Sequence, residues 1–498
     1  MEERFFYDFG KAAFGTLDMV LEAAFPMTVE VLIGECCSGE QVDREPGGSR
    51  FINIQQIRLE NGTKEYRFPL PKRPPWREGA LTSPLADREI APFRYVEING
   101  KCKVISVRRN EIFPEEFHDE DSFFESSDEK LNRVWEFCKY SIKATAAFGL
   151  FVDGERERQP YEGDAYINQL GWFCCCADKE IPRKTIDYLI KRATWPTEWQ
   201  LLMPIMAYDY LLYTGDRESV DSWMGVLEER LLDKWVGSDG LLYTDVKNPK
   251  DIVDWPIDER DGYVFGKTNL VPNCYRYGAL LAMEKLSGSS CYRKKADELR
   301  SAIRKSMFKN GVFTDSPETE HSALHSKIFS LFFNVGDAQE CSGIADAGMR
   351  CSVYGAQFLL DAMFRNKMES EAMKLVCSDG ERSWLNMITL GSTISMEAWS
   401  NETKPNQDWN HAWGAAPCNI IPRCIAGIRP IEPGFKKFIL DPHPVNLAKF
   451  TAGFPVPQKR YIDMEYSDGT VNITVPEGTS ALYKDKVLDP GTHRIKLQ

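Results

Sequence analysis

Residues 126–142 read SSDEKLNRVWEFCKYSI, and at this point the chain changes character. Ser126 and Glu129 have the spacing of a capping box, in which a hydroxyl and a carboxylate each satisfy a free backbone N–H at a helix start. Leu131, Val134, Cys138 and Ile142 then recur at helical spacing, so a helical domain is expected from residue 125 onward.

Upstream the pattern is strand-like. Residues 28–33 (TVEVLI), 51–59 (FINIQQIRL), 93–98 (FRYVEI) and 102–107 (CKVISV) are separated by Gly, Pro and Asn turns, which predicts an N-terminal β-sandwich over 1–124. The Pro-rich run at 69–75 (PLPKRPP) reads as an irregular connection. Downstream, amphipathic stretches fall near 164–177, 180–192, 198–213, 216–232, 268–287, 290–309, 320–333, 338–348, 352–366, 368–377 and 410–426. With the first, these make about twelve helices, the count of an (α/α)6 helical barrel built from consecutive hairpins, here placed over 125–434. After Gly434, strand patterns return at 437–440, 460–466, 470–475 and 493–497, a small C-terminal β-sandwich over 435–498. The expected class is therefore multidomain α and β.

The bulk composition narrows the function. With 498 residues, 43% hydrophobic and 27% charged, the chain has the balance of a soluble globular protein. Its net charge of −13 lacks the clustered Lys and Arg that phosphate neutralisation needs, which argues against a nucleic-acid partner. No run of apolar residues is long enough to span a membrane, and residues 1–10 (MEERFFYDFG) carry acids where an export signal would be basic and then apolar. A cytoplasmic location is expected, or a periplasmic or secreted one where a leader has been removed. Among 14 cysteines, Cys174, Cys175 and Cys176 are consecutive in a predicted helix and point in different directions, as buried free thiols do.

Five segments could carry chemistry. Residues 151–164 (FVDGERERQPYEGD) hold Asp153, Glu155, Glu157, Glu162 and Asp164 beside Arg156 and Arg158. A solvated loop of salt bridges would have the same composition. However, Gly154, Pro160 and Gly163 keep it irregular between two helices, at the rim where barrel loops meet substrates. Crowded acids raise one another's pKa and a neighbouring Arg lowers selected ones, so such a cluster can keep one acid protonated. Residues 391–400 (GSTISMEAWS) set Glu397 among small and apolar residues near Trp399, either as a helix-start carboxylate or as a reactive one. Residues 408–416 (DWNHAWGAA) place His411 between two tryptophans, either packed in a core or facing a ligand. Residues 252–263 (IVDWPIDERDGY) bring Asp254, Trp255 and Arg260 onto one loop, and residues 193–200 (ATWPTEWQ) add Trp195 and Trp199. Polar groups beside indoles suit a pyranose, whose C–H faces stack on rings while its hydroxyls take hydrogen bonds.

These motifs, in this order, resemble the α-L-rhamnosidases, family 78 of the glycoside hydrolases, in the six-hairpin glycosidase superfamily. The resemblance rests on Asp153-Gly154, Glu157, Tyr161 and Gly163-Asp164, on Gly391-Ser392-Thr393 with Glu397-Ala398-Trp399, on Asn410-His411, and on Tyr7-Asp8-Phe9-Gly10 near the start. It implies an inverting hydrolase of terminal α-L-rhamnosyl bonds, with Glu157 as general acid and Glu397 as general base. Together with the residue readings above, it gives substrate binding by Asp153, Arg156, Arg158, Tyr161, Asp164, Trp199, Asp254, Trp255, Arg260, Trp399 and His411, with no cofactor and no metal. The partner would be a small or oligosaccharide glycoside, and a homodimer is left open. Two departures stand out: Tyr161 takes a place where many members carry Trp, and the Asp153–Glu157 interval is short, both pointing to a change in the first sugar subsite. Another six-hairpin glycosidase, such as a fucosidase, glucoamylase-like or glucuronidase-like enzyme, and a catalytically silent carbohydrate-binding protein remain the alternatives.

Overall fold

The computed structural model describes residues 3–244, 250–458 and 460–497. It begins with a strand of which the family resemblance marked only Tyr7-Asp8-Phe9-Gly10. β1 (Arg4–Ala23) is buried almost continuously over its second half, polar Thr16 and Asp18 included, and a register shift falls between Asp8 and Ala13. It pairs with β4 (Gly62–Arg67), β5 (Ala91–Asn99) and β6 (Lys103–Glu111), while β2 (Met27–Gly34) lies between β3 (Ile52–Leu59) and β5. All six strands are thus joined in one sheet, with its own core of Leu17, Met19, Val31, Phe93 and Ile98.

The helices begin two residues later than the capping-box reading placed them. Ser126 ends a strand, β7 (Phe123–Ser126), whose backbone pairs with Phe450 and its neighbours. The cap of α1 (Glu129–Thr145) is instead Asp128, which accepts from Lys130 N at 2.9 Å and Leu131 N at 3.3 Å. The Ser126 hydroxyl accepts from Asp128 N (3.1 Å), and its backbone N–H and carbonyl are both taken by the Asn132 side-chain amide (2.8 and 3.0 Å).

The helices that follow are α2 (Glu162–Cys175), α3 (Glu180–Lys191), α4 (Thr197–Thr214), α5 (Arg217–Glu229), α6 (Leu270–Ser287) and α7 (Ser290–Met307). After a short hairpin of β8 (Phe308–Lys309) and β9 (Val312–Phe313) come α8 (Leu324–Phe332), α9 (Ile344–Ala347), α10 (Val353–Arg365), α11 (Glu369–Val376), α12 (Trp384–Thr389) and α13 (Pro417–Ile420). Burial sorts them. Every residue of α2 is buried, whereas α3 buries one stripe (Ile181, Pro182, Thr185, Ile186, Leu189) and leaves the rest half-buried or exposed, as a helix does when it packs on one side only. The buried set closes on itself: α2 packs on α4, α4 on α6, α6 on α8, α8 on α10, α10 on α13, and α13 back on α2.

Two predicted helices are much reduced. Residues 338–348 yield only the single turn α9, and 410–426 break into a 3-10 turn (Ala412–Gly414), α13 and a π turn (Ile421–Ile425). Gly414 and Pro417 interrupt that last pattern, and α12 was not anticipated. Cys174, Cys175 and Cys176 are buried and free.

The chain ends in two sheets. One joins β10 (Ile428–Pro430), β11 (Lys437–Leu440), β15 (Ser480–Tyr483) and β16 (Lys486–Leu488); the other runs β17 (Gly491–Lys496), β14 (Thr470–Val475), β13 (Arg460–Ser467), β12 (Lys449–Val456) and then β7. Their apolar faces continue the helical core. Among the described residues no helix is long and apolar enough to cross a membrane.

Gly427 joins the π turn to β10 at φ +74°, and an added Cβ would lie 1.9 Å from the carbonyl oxygen of Asp441. Gly427→Ala is therefore expected to cost about 2–3 kcal/mol. A thermal melt unchanged by the substitution would contradict this account of the junction.

Candidate active site

The loop before α2 is clamped at both ends so that its charged residues alternate in direction. Asp153 N donates to Gln159 O (3.1 Å), and Arg158 N to Gly154 O (2.9 Å). Gly154 sits at φ +122°, where a Cβ would come within 2.9 Å of Asp408 Oδ2, so glycine is required for the loop to lie against the Asp408–Asn410 strand of chain. Glu155 and Arg158 turn toward the N-terminal sheet. Arg158, buried, pairs with Glu89 (2.8 Å) and Glu155 (2.7 Å), and Arg73 reaches Glu155 at 3.0 Å. Arg156 and Glu157 turn the other way, into a cavity of about 250 Å³.

In that cavity one guanidinium meets three carboxylates. Arg156 contacts Glu397 Oε1 at 2.9 Å, Glu157 Oε1 at 3.4 Å and Asp408 Oδ2 at 3.7 Å. Burial alone would lower the Arg156 pKa, but Glu397, Asp408 and Glu157 together hold it above its ordinary value. Glu397 also receives Lys404 Nζ at 3.4 Å and the backbone N–H of Asp408 at 3.1 Å. Glu157 Oε2 accepts from the hydroxyl of Tyr161 (2.7 Å) and from Arg77 (3.1 Å), a residue of the N-terminal sheet's long loop.

Around them lie Asp153, Asp164, Trp195, Trp199, Ile252, Trp255, His411 and Trp413. Gly163 admits Trp199, since a Cβ there would fall 2.5 Å from the indole. Glu198, next in the chain to Trp199, accepts the N–H groups of Ile252 (2.9 Å) and Val253 (2.8 Å), which ties the loop bearing Ile252 and Trp255 to α4.

Burial dominates the acids' protonation. Asp153 is pushed well above the carboxylate range, first by desolvation and then by the charges of Glu157, Asp164 and Asp408; Asp408 is raised by desolvation and by Glu397. His411 Nε2 lies 2.6 Å from Asp164 Oδ1, and the same desolvation lowers His411 to about 3 while raising Asp164. His411 Nδ1 has no protein partner. Ligand atoms of Glu397, Asp408 and His411 lie within 4.8 Å of one another, a donor set that could hold a cation. Arg156 and Lys404 already supply positive charge at Glu397.

Four residues expected to touch a sugar do not line this cavity. Arg158 faces the sheet, as described. Asp254 is fully buried and holds Ser352, the cap of α10, accepting from Ser352 N (2.9 Å), and it contacts His325 Nε2 (2.6 Å). Arg260 donates to Asp254 O (2.9 Å) and lines a separate small cavity with Asp251 and Asn269. Trp399 packs edge-on against Trp384 and donates to Cys351 O (2.8 Å). Conversely, Arg77, Ile252, Lys404 and Trp413 line the cavity without having been singled out. Arg77 and Lys404 lie in irregular loops that carry no periodic signal; Trp413 was visible only as a neighbour of His411.

A family model of bacterial α-L-rhamnosidase six-hairpin glycosidase domains matches residues 119–425, and the chain belongs to that family. Among individual relatives, an α-L-rhamnosidase of Alteromonas sp. (strain LOR) is 23% identical over 447 residues, covering 78% of this chain and 48% of that protein. The α-L-rhamnosidase of Dictyoglumus thermophilum shares the fold with a TM-score of 0.78 at 17% identity, covering 99% of this chain and 61% of that one. The Streptomyces avermitilis α-L-rhamnosidase complexed with L-rhamnose does so with a TM-score of 0.76 at 15% identity, covering 99% and 52%. The chain thus spans about half the length of the curated relative it matches.

Burial raises Glu198 to about 8, with Asp251 adding to the shift. A carboxyl raised on folding favours the native state fully below its unfolded pKa of ~4.3 and withdraws that support as pH climbs through the folded value. The melting temperature is expected to fall between pH 5 and pH 8, and Glu198→Gln to flatten part of that slope. An identical slope in the variant would count against the assignment.

Proposed function

We propose that this chain is a glycoside hydrolase that cleaves terminal α-L-rhamnosyl bonds with inversion, Glu157 acting as general acid and Glu397 as general base. The observation that carries the proposal is that two carboxylates 240 positions apart in the sequence are bound by one guanidinium in a single cavity sized for one monosaccharide ring. The span of the planar guanidinium limits their separation to about 9 Å. That admits much of the ~6.5–9.5 Å range that leaves room for a water between an inverting pair. Glu157 donates a proton to the departing glycosidic oxygen. Glu397, oriented by Arg156, Lys404 and the Asp408 amide, takes a proton from the water that attacks the anomeric carbon. Asp153, Asp164 and His411 supply hydrogen bonds for sugar hydroxyls, and Trp199, Trp255 and Trp413 offer faces for its C–H groups. Membership of the rhamnosidase family and the likeness to an enzyme complexed with L-rhamnose support the choice of sugar.

In the same reading the closed cycle of buried helices is the inner ring of an (α/α)6 barrel, flanked by an N-terminal β domain and a C-terminal β-sandwich with boundaries near residues 125 and 434. The pairing of β7 with β12 favours a first boundary just before Phe123, with that strand belonging to the C-terminal sandwich.

Glu157→Gln and Glu397→Gln are each expected to lower kcat on 4-nitrophenyl α-L-rhamnoside by ~10²-fold to 10⁴-fold in folded protein. The first product seen by proton NMR should be the inverted anomer. Turnover of another nitrophenyl glycoside with the rhamnoside untouched would refute the sugar assignment, and full activity in both variants would refute the mechanism.

A further inference from the structure

A second cavity, of about 390 Å³, adjoins the one just described and shares Arg77, Tyr161 and Trp195 with it. The sharing has a direction. Arg77 and Tyr161 are the two groups that donate to Glu157 Oε2, so the cavities meet on the flank of the acid. On the other flank Glu397, His411 and Trp413 are buried, at 2% exposure each. A general acid protonates the oxygen of the leaving group, so the remainder of that group has to extend past the acid's side of the pocket. The only question left for the second cavity is which chemistry it is built to receive.

Its far wall is formed by the end of α3 and the turn after it. Arg192 stacks on the Tyr188 ring at 5.5 Å and, among the described residues, has no carboxylate within salt-bridge distance. The Tyr188 hydroxyl donates to the carbonyl of Gly79, which stands at φ +94°; a Cβ there would come 2.6 Å from that hydroxyl and 3.2 Å from Arg192 Nη1. Gln159, buried, turns an unpartnered Oε1 to the same spot. Trp195, 39% exposed, gives the cavity an open aromatic face. Against two guanidiniums the cavity holds one acid, the exposed Glu78. A ring to stack on, an acceptor for a hydroxyl and an uncommitted guanidinium together match a sugar that carries a carboxylate.

We propose that this cavity is the leaving-group subsite and that it accepts a uronic acid residue, whose carboxylate meets Arg192. The proposal rests on the hydrolase reading above. It is tested with three substrates: a disaccharide with α-L-rhamnose linked to a uronic acid, the methyl ester of that disaccharide, and 4-nitrophenyl α-L-rhamnoside. The wild-type protein should favour the acid over its ester in kcat/KM by roughly fivefold to tenfold, with the preference shrinking in high salt. Arg192→Gln should bring that ratio near one, Arg192→Lys should restore part of it, and Glu78→Gln should increase it. Equal rates on acid and ester, or an unchanged ratio in Arg192→Gln, overturn the subsite while turnover of the nitrophenyl rhamnoside leaves the hydrolase reading standing. No turnover of any of the three overturns both.

Discussion

The Arg156 guanidinium faces Glu157, Glu397 and Asp408, three carboxylates drawn from two distant parts of the chain. Buried like charges at this spacing repel strongly unless a cation and hydrogen bonds offset them. Arg, with a planar fork of donors that stays charged at any relevant pH, can address several acids at once, which Lys as a point charge cannot. Everything else near the cavity follows from the need to put that fork in one place.

That need explains why the N-terminal sheet is part of the site. The Glu155 amide donates to Asn410 Oδ1, Asn410 donates to Glu35, and Arg158 reaches Glu89, so the back of the acidic loop is tied to the sheet at several points. Further along, Thr393 accepts from Ala12 N and Tyr140 donates to Ala12 O, fixing the segment before Glu397 against β1. The sheet therefore sets the position of both carboxylates, and through Arg77 it touches Glu157 directly. The departure at residue 161 also takes on a physical meaning: a tyrosine brings a hydroxyl to within 2.7 Å of Glu157, which an indole ring would not supply in the same way.

Much of this was legible in the residues. Periodicity placed most of the long helices, and turn residues bounded most of the strands that alternate. β1 was marked only at Tyr7-Asp8-Phe9-Gly10, although Leu17, Met19, Leu21 and Ala23 alternate with Thr16, Asp18 and Glu22 further along; Asp18 is buried and pairs with Arg88, which local sequence does not announce. The acidic run at 151–164 and Glu397 stood out because carboxylates in a crowded or apolar setting are costly, and the family resemblance picked Glu157 from that run. Asp254 and Trp399 carried the same local signature and proved to be a buried partner of the α10 cap Ser352 and a packed indole. Local sequence cannot tell a buried polar group that serves the fold from one that serves a ligand.

What the sequence determined by itself is therefore the succession of elements, the family and the short list of acids, because periodicity, capping and motif spacing are local properties. Tertiary structure alone decided which of those acids share a cavity, that Arg156 joins them, and that Arg77 and Lys404 stand beside them. Those facts depend on how segments hundreds of residues apart approach in space. A charged side chain in an irregular loop gives no advance sign of which distant carboxylate it will meet.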